Sequence, residues 1–233
     1  MSRLPRANPV GVPQHIIQRG NNHQVCFISD QDFTAYLNWL KEYALKFEVD
    51  IHAWVLMDNH VHLLCTPQSV GAISYMMQGL GRQYVRYFNY SYERTGTLWE
   101  GRYKSCLVQE QGYLLQLYRY IELNPVRAKM VSDPLQYPWS SYQINGLGKH
   151  STLCTPHPLY LSLGGNEQER QSAYRGLLNH HIDEKMLGDI RDSVNRGMAI
   201  GSEPFKLEIE KLTGCRMSPK KKGRALGWRK AKT

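Results

Sequence analysis

The chain has 233 residues, 42% of them hydrophobic and 21% charged, a composition that excludes wholesale disorder, a collagen-like repeat and a coiled-coil rod. It predicts a packed core in one large domain, or in a domain of ordinary size with an appendage. The net charge of +9 is unevenly placed: nine basic residues from Lys211 onward meet no Asp or Glu, which leaves residues 1–210 formally neutral.

In chain order, His15-Ile16-Ile17-Gln18-Arg19 reads as a short strand running into the polar turn Gly20-Asn21-Asn22. An amphipathic helix is predicted over 31–47, with Asp30 as N-cap and Phe33, Tyr36, Leu37, Leu40, Tyr43, Ala44 and Phe47 at helical spacing. The β-branched and aromatic stretch 49–65, interrupted by Asp58-Asn59, predicts two buried strands in a hairpin. A second long helix is predicted over 70–92, then a loop around Gly96, a strand over 103–108 and a third helix over 112–123. The order β-α-β-β-α-β-α predicts an α+β fold, a ferredoxin-like sandwich of an antiparallel sheet with helices.

Between 134 and 158 the composition shifts to Pro, Gly, Ser and Tyr, which marks a boundary. Residues 166–215 show no clear strands and read as several short helices, the clearest over 204–212 with Phe205, Ile209 and Leu212 on one face. The division expected is a first domain over 1–145, a small helical C-terminal region over 146–215, and a basic, disordered tail over 216–233. The tail suits a polyanion such as nucleic acid, because each cation that neutralises a phosphate releases a counterion; a solvated extension without a ligand is the alternative. Five scattered cysteines without a C-x-x-C pair fit neither a disulfide scaffold nor a zinc ribbon. Pro5, Pro9 and Pro13 interrupt the start, and no window approaches the roughly 18 apolar residues of a membrane helix. A reducing, cytoplasmic setting with no membrane partner is therefore expected.

Three features could carry chemistry. In His60-Val61-His62 the alternate side chains of an extended strand point the same way, so both imidazoles converge as two ligands of one cation must. Two ordinary sheet histidines are the alternative. Asp58 could join the pair, or simply form the turn. In Tyr118-Arg119-Tyr120-Ile121-Glu122-Leu123-Asn124-Pro125, Tyr120 and Asn124 are four apart and share a helix face. There the phenol could serve as nucleophile and the amide oxygen as a hard ligand. Against this, Asn124 before Pro125 also looks like an N-cap, and Tyr120 could be a core residue. The third feature is the aromatic and basic interleaving from Arg82 to Lys104, a composition suited to single-stranded nucleic acid, although about half of these rings are expected in the core. No nucleotide-binding, zincin or serine-hydrolase motif is present in the sequence.

Five ordered blocks between Leu4 and Tyr142 extend these features. They are Arg19-Gly20-Asn21-Asn22; Ile51-His52-Ala53-Trp54-Val55-Leu56-Met57-Asp58-Asn59-His60-Val61-His62-Leu63-Leu64; Trp99-Glu100-Gly101-Arg102-Tyr103-Lys104; Tyr120-Ile121-Glu122-Leu123-Asn124-Pro125-Val126-Arg127-Ala128; and Pro138-Trp139-Ser140-Ser141-Tyr142. With them the chain resembles the HUH-type transposases that act on single-stranded DNA, and most of all the REP-associated tyrosine transposases and their IS200-like relatives.

The resemblance implies that His60 and His62 bind a divalent cation, Mg²⁺ or Mn²⁺, that Asn124 stands at the third, amide ligand, where many relatives carry Gln, and that Tyr120 is the nucleophile. It implies cleavage and rejoining of single-stranded DNA through a 5′-phosphotyrosine, on palindromic or hairpin-forming substrates, in a bacterial, nucleoid-associated setting. It makes 1–145 the catalytic domain and 146–215 a DNA-binding or accessory region, and leaves a homodimer open. The cations expected on DNA are Arg19, Arg82, Arg86, Arg102, Lys104, Arg127, Lys220, Lys221, Lys222 and Arg224. In the tail, Gly223-Arg224 is followed by Ala225 where longer relatives often continue into Pro. A non-catalytic DNA-binding protein derived from such a transposase is the rival reading. A metal-dependent nuclease using water would have no need of Tyr120.

Overall fold

A computed structural model of the chain describes residues 6–179 and 183–218. Its elements are β1 (Gln14–Arg19), α1 (Asp30–Lys46), β2 (Val49–Met57), β3 (His60–Pro67), α2 (Ala72–Ser91), β4 (Lys104–Val108), α3 (Glu110–Glu122), α4 (Asn124–Arg127), α5 (Tyr142–Asn145), α6 (Pro158–Leu161), α7 (Glu167–Leu178), α8 (Glu184–Arg196), β5 (Ala199–Ile200) and α9 (Glu203–Thr213). The sheet runs β2-β3-β1-β4-β5. Its first four strands pair antiparallel, which is the ferredoxin-like order expected, and β5 adds in parallel to β4. Among the described residues no helix is long and apolar enough to cross a membrane.

Strand alternation sends successive side chains to opposite layers. One layer packs Ile16, Trp54, Leu56, Val61, Leu63 and Cys65 against α1 and α2. The other packs Val55, Leu64, Cys106 and Val108 against α3 and against Tyr137, Tyr142, Tyr160, Tyr174, Leu187, Ile190 and Val194 from the C-terminal half. A bulge in β2 between Ile51 and Ala53 reverses the strand's parity, so Ile51 joins the first layer and Ala53 the second.

Several local expectations shift by a few residues, each for a visible reason. Ser29, not Asp30, caps α1, because Asp32 three residues on returns the bond in a capping box. Asp32 also accepts from Tyr87 at 2.9 Å and Tyr92 at 2.8 Å, tying the start of α1 to the end of α2. Gly71, at φ +78°, turns the chain just before α2 and delays its start. At the start of α3, Gln111 and Gly112 leave helical geometry, with Gly112 at φ +80°, so its regular turns begin where the third helix is expected.

The stretch expected to lack strands supplies β5. Two residues, Ala199 and Ile200, pair with Leu107 and Val108, too few to carry a period-two signal. Leu212, expected on the buried face of the last helix, is 65% exposed, whereas Ile209 is buried.

Candidate active site at the histidine pair and Tyr120

The site begins with register. Ile17 lies opposite His62 and Arg19 opposite His60, so His15, Ile17, Arg19, His60 and His62 share the sheet face covered by α3. The His60 and His62 rings lie 5.0 Å apart, centroid to centroid, at 75°. Burial lowers the His60 pKa to about 4, with Arg19 and His23 adding to the effect. Burial, then His15, His60, Arg127 and Arg19, hold His62 well below 6.5. Both rings are therefore neutral at pH 7, the protonation state that ligates a metal.

The tautomer of His60 follows from its neighbour. Its Nδ1 lies 2.6 Å from Oδ1 of Asn59, an oxygen that only accepts, so Nδ1 carries the proton and Nε2 keeps the lone pair. The Nδ2 of Asn59 donates to the His23 carbonyl, which fixes the orientation of the amide. Asp58 is exposed at the hairpin turn and its carbonyl accepts from the Cys26 and Phe27 amides, so it serves the turn.

Tyr120 comes from α3 and is 5% exposed. Its ring meets His62 edge-on at 5.7 Å and His15 at 5.8 Å. The Arg127 guanidinium lies 4.2 Å from the Tyr120 ring centroid, within cation–π range. Burial lowers the Arg127 pKa and Tyr120 opposes that shift. Tyr118, about 200° around the helix, turns the other way and is fully buried against Tyr160 and Tyr174. Asn124 opens α4, yet Leu123 occupies the capping position and no side chain caps the helix. Asn124 lines the same cleft as Tyr120, His60 and His62.

That cleft has a volume of about 1180 Å³. Eight of its lining side chains are Arg or Lys and one, Glu100, is acidic. Among the sequence-predicted cations, Arg19, Arg102, Lys104 and Arg127 line it. Arg82 and Arg86 do not: they project from α2 on the opposite side of the sheet, beside Lys46, Phe47 and Tyr75. Lys220, Lys221, Lys222 and Arg224 lie outside the described residues. In the aromatic run, Tyr84, Phe88 and Trp99 are core residues and Tyr90 is 89% exposed.

Sequence reasoning missed His15, Arg6, Arg191, Arg196 and Arg216. His15 was legible in principle, since it has the same strand parity as Arg19. The arginines of α8 and the C-terminal segment reach the cleft through tertiary packing alone. Lys104 donates to Asn195 of α8 at 3.1 Å, which joins the two walls.

Among the described residues no three His, Cys, Asp or Glu side chains are placed to hold one metal ion. The donor chemistry nonetheless suits a divalent cation: two neutral imidazoles, His60 with its proton held at Nδ1 by Asn59, and the neutral Asn124 lining the same cleft. Hard cations accept such carbonyl oxygens and complete their shells with water or phosphate oxygens.

The five-stranded sheet, antiparallel except for β5, carries a basic cleft on one face, a charge suited to a polyanion such as nucleic acid. Residues 11–124 match the family of IS200-like transposases, and the chain carries a transposase domain of that family. Among solved structures it is similar to a REP-associated tyrosine transposase bound to a REP hairpin, at 15% identity and a TM-score of 0.54, covering 67% of this chain and 99% of the other; this likeness is one of fold. A protein from Deinococcus radiodurans R1 assigned as a transposase aligns at 24% identity, a TM-score of 0.36, and 52% and 96% coverage. No curated protein matches.

Proposed function

We propose that this transposase domain cuts and rejoins single-stranded DNA, with Tyr120 as the nucleophile. The observation that supports this reading best is the placement of Tyr120 edge-on to His62 and under Arg127, in one basic cleft with His60 and Asn124. The Tyr120 oxygen attacks a backbone phosphorus and the bond from phosphorus to the 3′ oxygen breaks. The phenol proton leaves to solvent, and the departing oxygen takes up a proton to become a 3′-hydroxyl. One phosphodiester replaces another, so the bond energy is kept for the joining step, in which a 3′-hydroxyl reverses the reaction.

His60, His62 and the Asn124 amide oxygen would hold Mg²⁺ or Mn²⁺. When bound, the ion supplies Lewis-acid polarisation of the phosphoryl oxygens. Arg127 adds a fixed positive charge: its Nη1 is buried without a hydrogen-bond partner among the described atoms, a donor suited to a phosphate oxygen. Arg19, Arg102 and Lys104, joined by Arg191 and Arg196, carry the strand along the cleft, and the similar transposase seen with a REP hairpin makes a hairpin-forming DNA the substrate to use. Arg82 and Arg86 would serve only a second contact, behind the sheet.

The test is covalency. A single-stranded hairpin DNA incubated with the protein and Mn²⁺ is expected to give an adduct that survives denaturation, and Tyr120→Phe to remove it. An adduct that persists in the Phe variant assigns the nucleophile elsewhere; no adduct with the unaltered chain favours a non-catalytic binder.

A further inference from the structure

His62 is a ligand only through a ring nitrogen that carries no proton, so something must decide which nitrogen that is. Its Nδ1 lies 2.8 Å from Nε2 of His15. The two rings are within 11° of parallel, with centroids 5.1 Å apart. So long a centroid separation with so short a nitrogen contact sets them edge to edge in nearly one plane, where an N–H points along the other ring's lone pair. His15 is fully buried, where a charged ring is costly.

Two proton arrangements satisfy this contact. If His15 donates from Nε2, the proton of His62 sits on its own Nε2, and no lone pair of that ring is offered to the cleft. If His62 donates from Nδ1, His15 accepts at Nε2, carries its own proton on Nδ1, and leaves the His62 Nε2 lone pair bare. His15 Nδ1 is buried with no partner among the described atoms, so no group behind His15 selects either arrangement; the metal reading, which needs the His62 Nε2 lone pair, selects the second. Asn59 already imposes the equivalent state on His60.

We propose that His15 is a positioning residue of the cation site: it accepts the His62 Nδ1 proton at Nε2 and so holds His62 as a ligand through its own Nε2. The proposal rests on the metal reading above and adds an outer partner to it. Outer partners of this kind fix ring orientation and tautomer, and losing one weakens metal binding by roughly 10- to 100-fold. The edge contact of His15 with Tyr120 means that the same ring also borders the proposed nucleophile.

The experiment titrates Mn²⁺ alone into the full-length chain by calorimetry, for the wild type, His15→Phe and His15→Gln. Phenylalanine keeps a ring against Tyr120 and removes the acceptor; glutamine places an oxygen near the position of Nε2. Mn²⁺ affinity is expected to fall by roughly 10- to 100-fold in the Phe variant and to recover in the Gln variant. Hairpin binding in EDTA is expected to stay unchanged in both. Equal affinity in wild type and Phe variant overturns the proposal, and so does a Gln variant as weak as Phe. Nitrogen NMR of the Mg²⁺-saturated wild type reads the tautomer without any substitution, and a proton on His62 Nε2 also overturns it. Should the wild type bind no Mn²⁺ at all, the metal reading itself fails and takes this one with it. Wild-type binding that His62→Ala abolishes and His15→Phe spares refutes the role of His15 alone.

Discussion

Glu122 closes α3 two residues after Tyr120 and is fully buried. It accepts from Ser141 Oγ at 2.5 Å and Asn145 Nδ2 at 2.8 Å on one oxygen, and from the Tyr174 hydroxyl at 2.6 Å on the other. These three donors favour the carboxylate, but burial outweighs them and raises the pKa from 4.5 to about 7. Between those values the folded chain keeps a proton that the unfolded chain has released, so this group's contribution to stability falls as pH rises. At about 1.4 kcal/mol per pH unit, the loss between pH 5 and pH 8 comes to about 2–3 kcal/mol. The buried histidines act in the opposite sense. His15, His52 and His60, lowered to about 3, 4 and 4, and His62, lowered further, contribute stability above pH 6.5 that is lost on acidification. Comparison with Glu122→Gln cancels them, because the amide is neutral throughout and can still accept from Ser141 and Asn145. Urea unfolding at pH 5 and pH 8 is expected to show the variant gaining about 2–3 kcal/mol on the wild type over that interval. Parallel stability profiles would refute the reasoning and mean that Glu122 is ionised in the fold at pH 5.

Asp32→Ala removes the acceptor for the Ile28 and Ser29 amides and for two tyrosine hydroxyls; it is expected to lower stability by about 2–4 kcal/mol, read by denaturant unfolding. His60→Ala and His62→Ala are each expected to abolish the covalent adduct while leaving hairpin affinity near wild type, since phosphate contacts elsewhere supply most of it; undiminished adduct in both makes them ordinary sheet histidines. Deleting 220–233, of which the tail cations lie outside the described residues, removes seven of the nine basic residues found from Lys211 onward. If about half of these touch phosphates, the salt dependence of binding becomes shallower by roughly 2–3 in log–log slope, and adduct formation at saturation is retained.

The elements of the sandwich were legible because each is long enough to show its period: the apolar stripe of α1, the β-branched hairpin of β2 and β3, and the boundaries of α3 to within a few residues. The paired histidines were legible for the same reason, since a strand puts i and i+2 on one face whatever it pairs with. Tyr120 and Asn124 were expected on one helix face, but Leu123, at ψ 4°, ends α3 between them and Asn124 opens α4; that both line the cleft of the histidines depended on how the two helices lie across the sheet. The Ser141 hydroxyl bonds Glu122 from outside the helix, and only the folded chain brings the two together.

Charge shows the division most plainly. Sequence arithmetic makes residues 1–210 neutral and assigns the excess to the tail, and that sum is correct. It has no spatial content, however: the fold gathers Arg6, Arg19, Arg102, Lys104, Arg127, Arg191 and Arg196 into one cleft and leaves Arg82 and Arg86 behind the sheet. Local periodicity is a property of neighbours along the chain, so the sequence by itself determined the long strands and helices and most of the side chains that share a face on them; the two-residue β5, the four-residue helices and the bulge in β2 carried no such signal. Which faces meet, that His15 lies in bonding distance of His62, that β5 joins the sheet edge and that α8 lines the cleft were decided by tertiary packing, because those contacts join residues tens of positions apart whose spacing carries no local signal.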